Sequence, residues 1–145
     1  MGQGSIIGYE INEKTCQISY YSEEQMEPQT LEVDEDNFQI PLIIGRLRDT
    51  WAYGKEAKRL ATVKEGFTVT RLLNRSLAGE KIEFGEETYD AVWLLSKFIQ
   101  MSLHDFPEIE GIVFTVPALT EELAQMLRGC LLYTSPSPRD RSVSR

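Results

Sequence analysis

The sequence predicts a mixed α/β fold, with antiparallel strands first and a crossover to a parallel strand afterwards. Two short runs of alternating apolar residues flank Asn12-Glu13-Lys14. Residues 86–103 carry Tyr89, Val92, Trp93, Ser96, Ile99 and Leu103 at spacings of three and four, and Gly111-Ile112-Val113-Phe114-Thr115-Val116-Pro117 is nearly all apolar. Alternation marks a half-buried strand and a three-four spacing an amphipathic helix, while a short unbroken apolar run suits a strand buried on both faces of a parallel sheet.

In chain order, Ile7, Tyr9 and Ile11 alternate with Gly8 and Glu10, and Cys16, Ile18 and Tyr20 alternate with Gln17 and Ser19. Residues 5–11 and 15–21 are therefore predicted as a β-hairpin with one apolar face per strand. Residues 22–37 are dominated by Glu, Gln and Asp, with Pro28 and the triplet Asp34-Glu35-Asp36. This stretch reads as solvated connection, with a short edge strand at Leu31 and Val33. The apolar run 38–44 contains Pro41, which pushes a strand to an edge or to its own start, so a third strand is predicted near residues 42–46. Ala57, Leu60 and Ala61 among Lys, Glu and Arg predict a short amphipathic helix over residues 54–62. Residues 67–77 alternate and then turn helical, and Ile82 with Phe84 marks a brief strand before Gly85. The long helix is placed at 86–103, with Glu86 and Glu87 in its first turn where the helix dipole favours them. After the buried strand, Thr120 is the predicted N-cap of a last helix. No internal repeat is visible.

Charge and composition remove several functions. A formal net charge of -8 argues against a phosphate-backbone binder, so nucleic acid is not an expected partner. No stretch has the roughly 18 to 20 apolar residues of a membrane span, and the N-terminus lacks the basic and apolar regions of a secretory signal, so a cytoplasmic location without a membrane partner is expected. Met1-Gly2 does not continue into a myristoylation pattern because Ile6 stands where Ser or Thr is needed. Cys16, Cys130 and His104 form neither a disulfide framework nor a metal-ligand spacing. His104 is expected to face the carbonyl end of the long helix. Trp51, Tyr53 and Trp93 are expected to fill core or lobe-interface space. Gly54-Lys55 is not a P-loop, since Glu56 occupies the Ser/Thr position, and no nucleophile elbow is present.

After Gly129 the composition changes to a short apolar run and a Ser/Pro/Arg tail. The eleven residues from Cys130 to Asp140 are similar at every position to the translation of a transposase-type sequencing-library adapter; a natural disordered tail is the other reading. On the adapter reading, residues 130–145 are a non-native, disordered tail, and residues 1–129 are a piece of a longer protein, incomplete at its C-terminus. Without the tail the chain has 12 Lys+Arg and 22 Asp+Glu, a net charge of -10, and Cys16 as its one cysteine.

Three segments carry a resemblance to a family: residues 6–15, the stretch Tyr53-Gly54-Lys55-Glu56-Ala57-Lys58, and Ile112-Val113-Phe114-Thr115-Val116-Pro117-Ala118. With the predicted element order, they resemble the N-terminal, ribonuclease-H-like lobe of the actin-like ATPase superfamily, closest to the seventy-kilodalton heat-shock chaperones. In that family a G-I-D-L-G-T-T type hairpin binds phosphate, a G-x-x-A-K segment supplies a lysine, and a strand ending in T-V-P-A leads into a helix. The resemblance covers nearly all of residues 5–129.

It implies a full-length protein that binds ATP and Mg between two lobes, with protein clients or co-chaperones as partners. Glu10 matches the acid that holds the magnesium through water, and Asn12, Glu13, Lys14 and Thr15 match the phosphate-contacting turn. Lys58 matches the lysine that neutralises the γ-phosphate, which makes it the one implied catalytic residue. Successive N–H groups in such a turn form an anion-binding concavity. The sequence departs from the pattern in that Asn12 replaces the turn glycine, Glu13-Lys14 replaces the threonine pair, and Glu10 replaces Asp. Asn tolerates positive φ, whereas a carboxylate at Glu13 opposes phosphate. The other implied function is accordingly a hydrolysis-deficient actin-like scaffold or nucleotide-sensing interaction protein. Taken singly, the turn is also an ordinary exposed hairpin turn and Lys58 an ordinary solvated helix lysine.

Overall fold

A computed structural model describes residues 5–22, 25–31, 37–106, 108–117 and 120–134. Val33, the triplet Asp34-Glu35-Asp36, Pro107, Ala118 and residues 135–145, on all of which expectations fell, lie outside the described residues.

The chain is a mixed α/β fold, with two sheets, a separate hairpin and four helices among the described residues. The hairpin expected at the N-terminus is present as β1 (Ser5–Ile11) and β2 (Thr15–Ser22), pairing from Ile6↔Tyr21 to Ile11↔Cys16. On its apolar face Ile7, Tyr9, Ile11, Cys16 and Ile18 are almost wholly buried. β3 (Gln25–Thr30) lies beyond β2, and Leu31 N–H continues the ladder to Ile18 C=O at 2.8 Å. The edge strand thus takes in residues 25–30 ahead of the expected Leu31, which still joins the ladder. Polar composition did not prevent it, because an outer strand needs only one ladder, and Pro28 is tolerated there.

The third strand expected at residues 42–46 is two strands. β4 (Ile40–Pro41) pairs with β2, whereas β5 (Ile44–Leu47) opens a second sheet. There β5 lies between β6 (Thr50–Tyr53) and β7 (Gly66–Val69), both antiparallel to it. One face of this sheet carries Ile44, Arg46, Trp51, Tyr53, Phe67 and Val69. The short expected helix, α1 (Lys55–Leu60), packs against β5, β6 and β7 with Ala57 buried. Gly54 starts α1 at φ 66 and ψ -134, a conformation reserved for glycine.

α2 (Leu72–Leu77) follows as expected. The next segment corrects the sequence reading: residues 86–90 are not the first turn of the long helix. β8 (Lys81–Phe84) and β9 (Glu87–Asp90) form a second hairpin around Gly85-Glu86, and α3 (Ala91–Ser102) starts only after Asp90. Gly85 has φ +65 while Glu86 does not share the positive φ, the pattern of a two-residue type II′ turn. Tyr89 therefore belongs to a strand.

β10 (Ile109–Thr115) runs parallel to β1, from Ile6↔Gly111 to Glu10↔Thr115, so the expected crossover is present. The first sheet has the order β10-β1-β2-β3. Burial on both faces of β10 is not found. Ile112 and Phe114 are buried, whereas Gly111 and Val113 are half-buried and Thr115 is exposed. Buried and more exposed positions alternate along β10, so an apolar sequence is compatible with a strand sealed on one face.

The last helix, α4 (Glu121–Thr134), begins as predicted, with Thr120 Oγ1 accepting from Leu123 N–H at 3.1 Å. It continues past Gly129, and Cys130 is wholly buried beside Leu123 and Leu127. Residues 130–134 are thus helical, against the disorder expected from residue 130 onward. α3 is the shared centre: α2 and α4 pack on it, Tyr9 of the first sheet bonds its Ser102, and Tyr53 of the second sheet meets its Phe98 edge-on at 5.6 Å.

Candidate functional site

Four of the residues singled out by the resemblance meet in the β1–β2 turn. Asn12 Oδ1 accepts from Lys14 N–H at 2.8 Å and from Thr15 N–H at 2.9 Å, with Thr15 Oγ1 at 3.5 Å. This is a side-chain-closed turn, which asparagine forms because its short amide reaches the backbone two residues on. Its consequence is electrostatic: the two amides that a bound phosphate would need already have an acceptor. Glu13 does not lie over those amides. Its Oε1 accepts from Asn74 Nδ2 of α2, tying the turn to that helix, while Lys14 C=O accepts from Leu42 N–H at 2.9 Å.

Glu10 stands one position before the end of β1, exposed, beside Gln17 of β2 and Thr115 of β10. The turn and Glu10 therefore share the end of the sheet at which the parallel strands β1 and β10 terminate. Ligands of open α/β sheets bind at that end. Lys58 is exposed on α1, which packs on the second sheet and touches β4, and its side chain forms no ion pair with the turn among the described residues. No three His, Cys, Asp or Glu side chains converge on one point among the described residues. Glu10 is left as a carboxylate that could hold a metal ion only through water.

Beneath the turn runs a buried polar line. Cys16 S–H points to Tyr9 Oη at 3.7 Å, Tyr9 O–H donates to Ser102 Oγ at 2.6 Å, and Ser102 O–H donates to Ile99 C=O at 2.8 Å. Burial raises the Tyr9 phenol well above its ordinary range and pushes the Cys16 thiol up to about 12, so both are neutral at physiological pH. A thiol held in that state is a poor nucleophile. The line ties the first sheet to α3 and offers no reactive group.

A second polar arrangement escaped the sequence reading. Arg46 is 15% exposed and lies over the rings of Trp51, Phe84 and Tyr89 at 5.4, 5.5 and 5.6 Å. Its Nη1 donates to Tyr89 Oη at 2.7 Å and to Glu87 Oε1, and Tyr89 O–H donates to the same carboxylate oxygen at 2.8 Å. The hydrogen bond from Arg46 holds the Glu87 carboxyl below its usual range. Trp93 stacks on Tyr89 at 5.0 Å and Phe67 on Phe84 at 5.5 Å. With its charge matched and its faces covered, Arg46 pins the β8–β9 hairpin to the second sheet. The available signal was the alternation that puts Arg46 on the same face as Ile44. Glu87 and Tyr89 were hidden by their assignment to a helix.

Trp51 and Tyr53 are half-buried and pack against the core, while Trp93 is 36% exposed at the edge of this cluster. His104 Nδ1 lies 3.0 Å from Met101 C=O, so its ring faces the helix end as expected, with Nε2 3.1 Å from Asp105. No helix among the described residues is long and apolar enough to cross a membrane.

A family described as "Family of unknown function (DUF5716) C-terminal" matches residues 27–139. The match covers most of the chain, starts within β3 and extends ten residues past Gly129. No curated protein matches the chain.

Proposed function

The chain belongs to this C-terminal family of unknown function (DUF5716), and we propose that it is a ribonuclease-H-like lobe of actin-like type that serves as a non-hydrolysing scaffold or nucleotide-sensing interaction module. The observation that carries the reading is the closed turn. Asn12 Oδ1 occupies the Lys14 and Thr15 amides, so a phosphate oxygen would have to displace a bond the chain already makes. Lys58, exposed on α1 with no ion pair to the turn among the described residues, adds to this, since a transferring phosphoryl group needs its cation held in place. The fold part of the reading draws support from the order of the first sheet, an antiparallel meander with β10 returning parallel beside β1 and leading into α4. A cytoplasmic location and protein partners go with this reading.

One observation favours the ATPase reading instead. Glu10 and the turn lie where the parallel strands β1 and β10 end, the side on which open α/β sheets take ligands. On that reading Mg-ATP binds in the full-length protein with Glu10 on the hydrated magnesium, Asn12, Glu13, Lys14 and Thr15 around the phosphates, and Lys58 on the γ-phosphate.

Calorimetric titration of the longest natural form of the protein with Mg-ATP, with turnover followed in parallel, separates the two. Wild type is expected to show no turnover, Lys58→Ala to behave as wild type, and Asn12→Gly, which frees the two amides, to bind more tightly than wild type. Turnover by wild type that collapses in Lys58→Ala would overturn the proposal and establish an ATPase.

A further inference from the structure

We infer that the structural unit of this family starts ahead of the matched region, and that residues 27–139 present a strand-acceptor surface which the preceding hairpin, β1–β2, completes. The match begins at residue 27, yet the first sheet in the order β10-β1-β2-β3 has both of its central strands before that point. Among the described residues β1 is the sole strand partner of β10, so the matched region alone leaves β10 without a ladder. It would also uncover the floor beneath the hairpin. Ile7, Tyr9, Ile11, Cys16 and Ile18 are all 0% or 1% exposed and belong to the same core as Phe98, Ile112, Phe114 and Leu127. Tyr9 fixes the register of the hairpin on this surface through two elements, by the 2.6 Å bond to Ser102 of α3 and the edge-on contact with Phe114 of β10 at 5.5 Å.

The chemistry of the occupant follows from these contacts. The first strand must run parallel to β10 with three apolar side chains at alternate positions, the middle one bearing a hydroxyl that can reach Ser102. The second must return antiparallel with an apolar residue opposite each of them. Residues 5–22 satisfy both conditions. β-branched and aromatic residues predominate on the buried face, as strand pairing favours. A surface of this kind takes a strand by main-chain hydrogen bonds and pockets for alternate side chains. Other members of the family are therefore expected to carry a pair of alternating apolar runs just ahead of the matched region.

The test uses the whole chain with a recognition site for a sequence-specific protease inserted between Ser22 and Gln25. After cutting, the two pieces are expected to elute together and to keep the circular dichroism of the uncut chain. Separated under denaturant, the larger piece is expected to lose cooperative urea unfolding. It should regain it on addition of the hairpin piece, but not of a hairpin piece carrying Tyr9→Asp. Cooperative unfolding of the larger piece alone, at the midpoint of the intact chain, would overturn the inference. Should the insertion itself prevent folding, co-expression of the two pieces as separate chains gives the same answer: co-purification supports the inference, and a folded larger piece purified without the hairpin defeats it.

Discussion

Single residues decide the geometry of both polar sites. Asn12 was expected to tolerate a left-handed backbone, but among the described residues the non-glycine positions with positive φ are Arg48 and Arg71. Asn12 acts through its side-chain oxygen instead, which residue identity alone does not distinguish. Gly54 was noticed as part of a motif, and its structural role is sharper: at φ 66 and ψ -134 an added Cβ would lie 2.8 Å from Ile40 Cγ2. The backbone strain and the overpacking against Ile40 add, so Gly54→Ala is expected to lower stability by about 3 kcal/mol in urea titration. The same substitution at Gly79, where an added Cβ meets nothing within 4 Å, should cost less.

At the scale of elements, what was legible depended on the length of the pattern. The β1–β2 hairpin, the crossover to β10 and the capped start of α4 each rest on several residues that agree, and all three stand in the structure. The brief strand expected at Ile82 and Phe84 stands as β8, but β9 was lost because Tyr89 also fits the helical spacing of Val92, Trp93 and Ser96, and glutamates near a helix start look favourable for their own reason. The pairing of residues 87–90 with β8 and the positive φ of Gly85 separate the two assignments. β5 and β6 were obscured similarly, since Arg46 in an apolar row reads as the end of a strand until its partners Glu87 and Tyr89 are in place. For α4, removing the cap oxygen in Thr120→Ala is expected to cost about 1 kcal/mol, measured by chemical denaturation, while Thr120→Ser should be close to neutral.

Over the whole molecule, two sheets share one helix, and the neutral groups sealed around it set the response to alkali. Burial raises Tyr9 and pushes Cys16 to about 12 and Cys130 to about 11. In the unfolded chain the thiols ionise near their ordinary value of 9.0. Between that value and the folded ones the unfolded state holds fewer protons, so stability is fully present below pH 9 and lost as pH rises through 11 to 12. Each group contributes a slope of up to about 1.4 kcal/mol per pH unit. Urea midpoints measured from pH 7 to 11 should be level at first and then fall, with Cys16→Ala flattening the fall. The aromatic joint has a different consequence. Both tryptophans of the chain, Trp51 and Trp93, lie 5.6 Å apart in it. Intrinsic emission excited at the indole band therefore reports on the seam between the second sheet, the β8–β9 hairpin and α3.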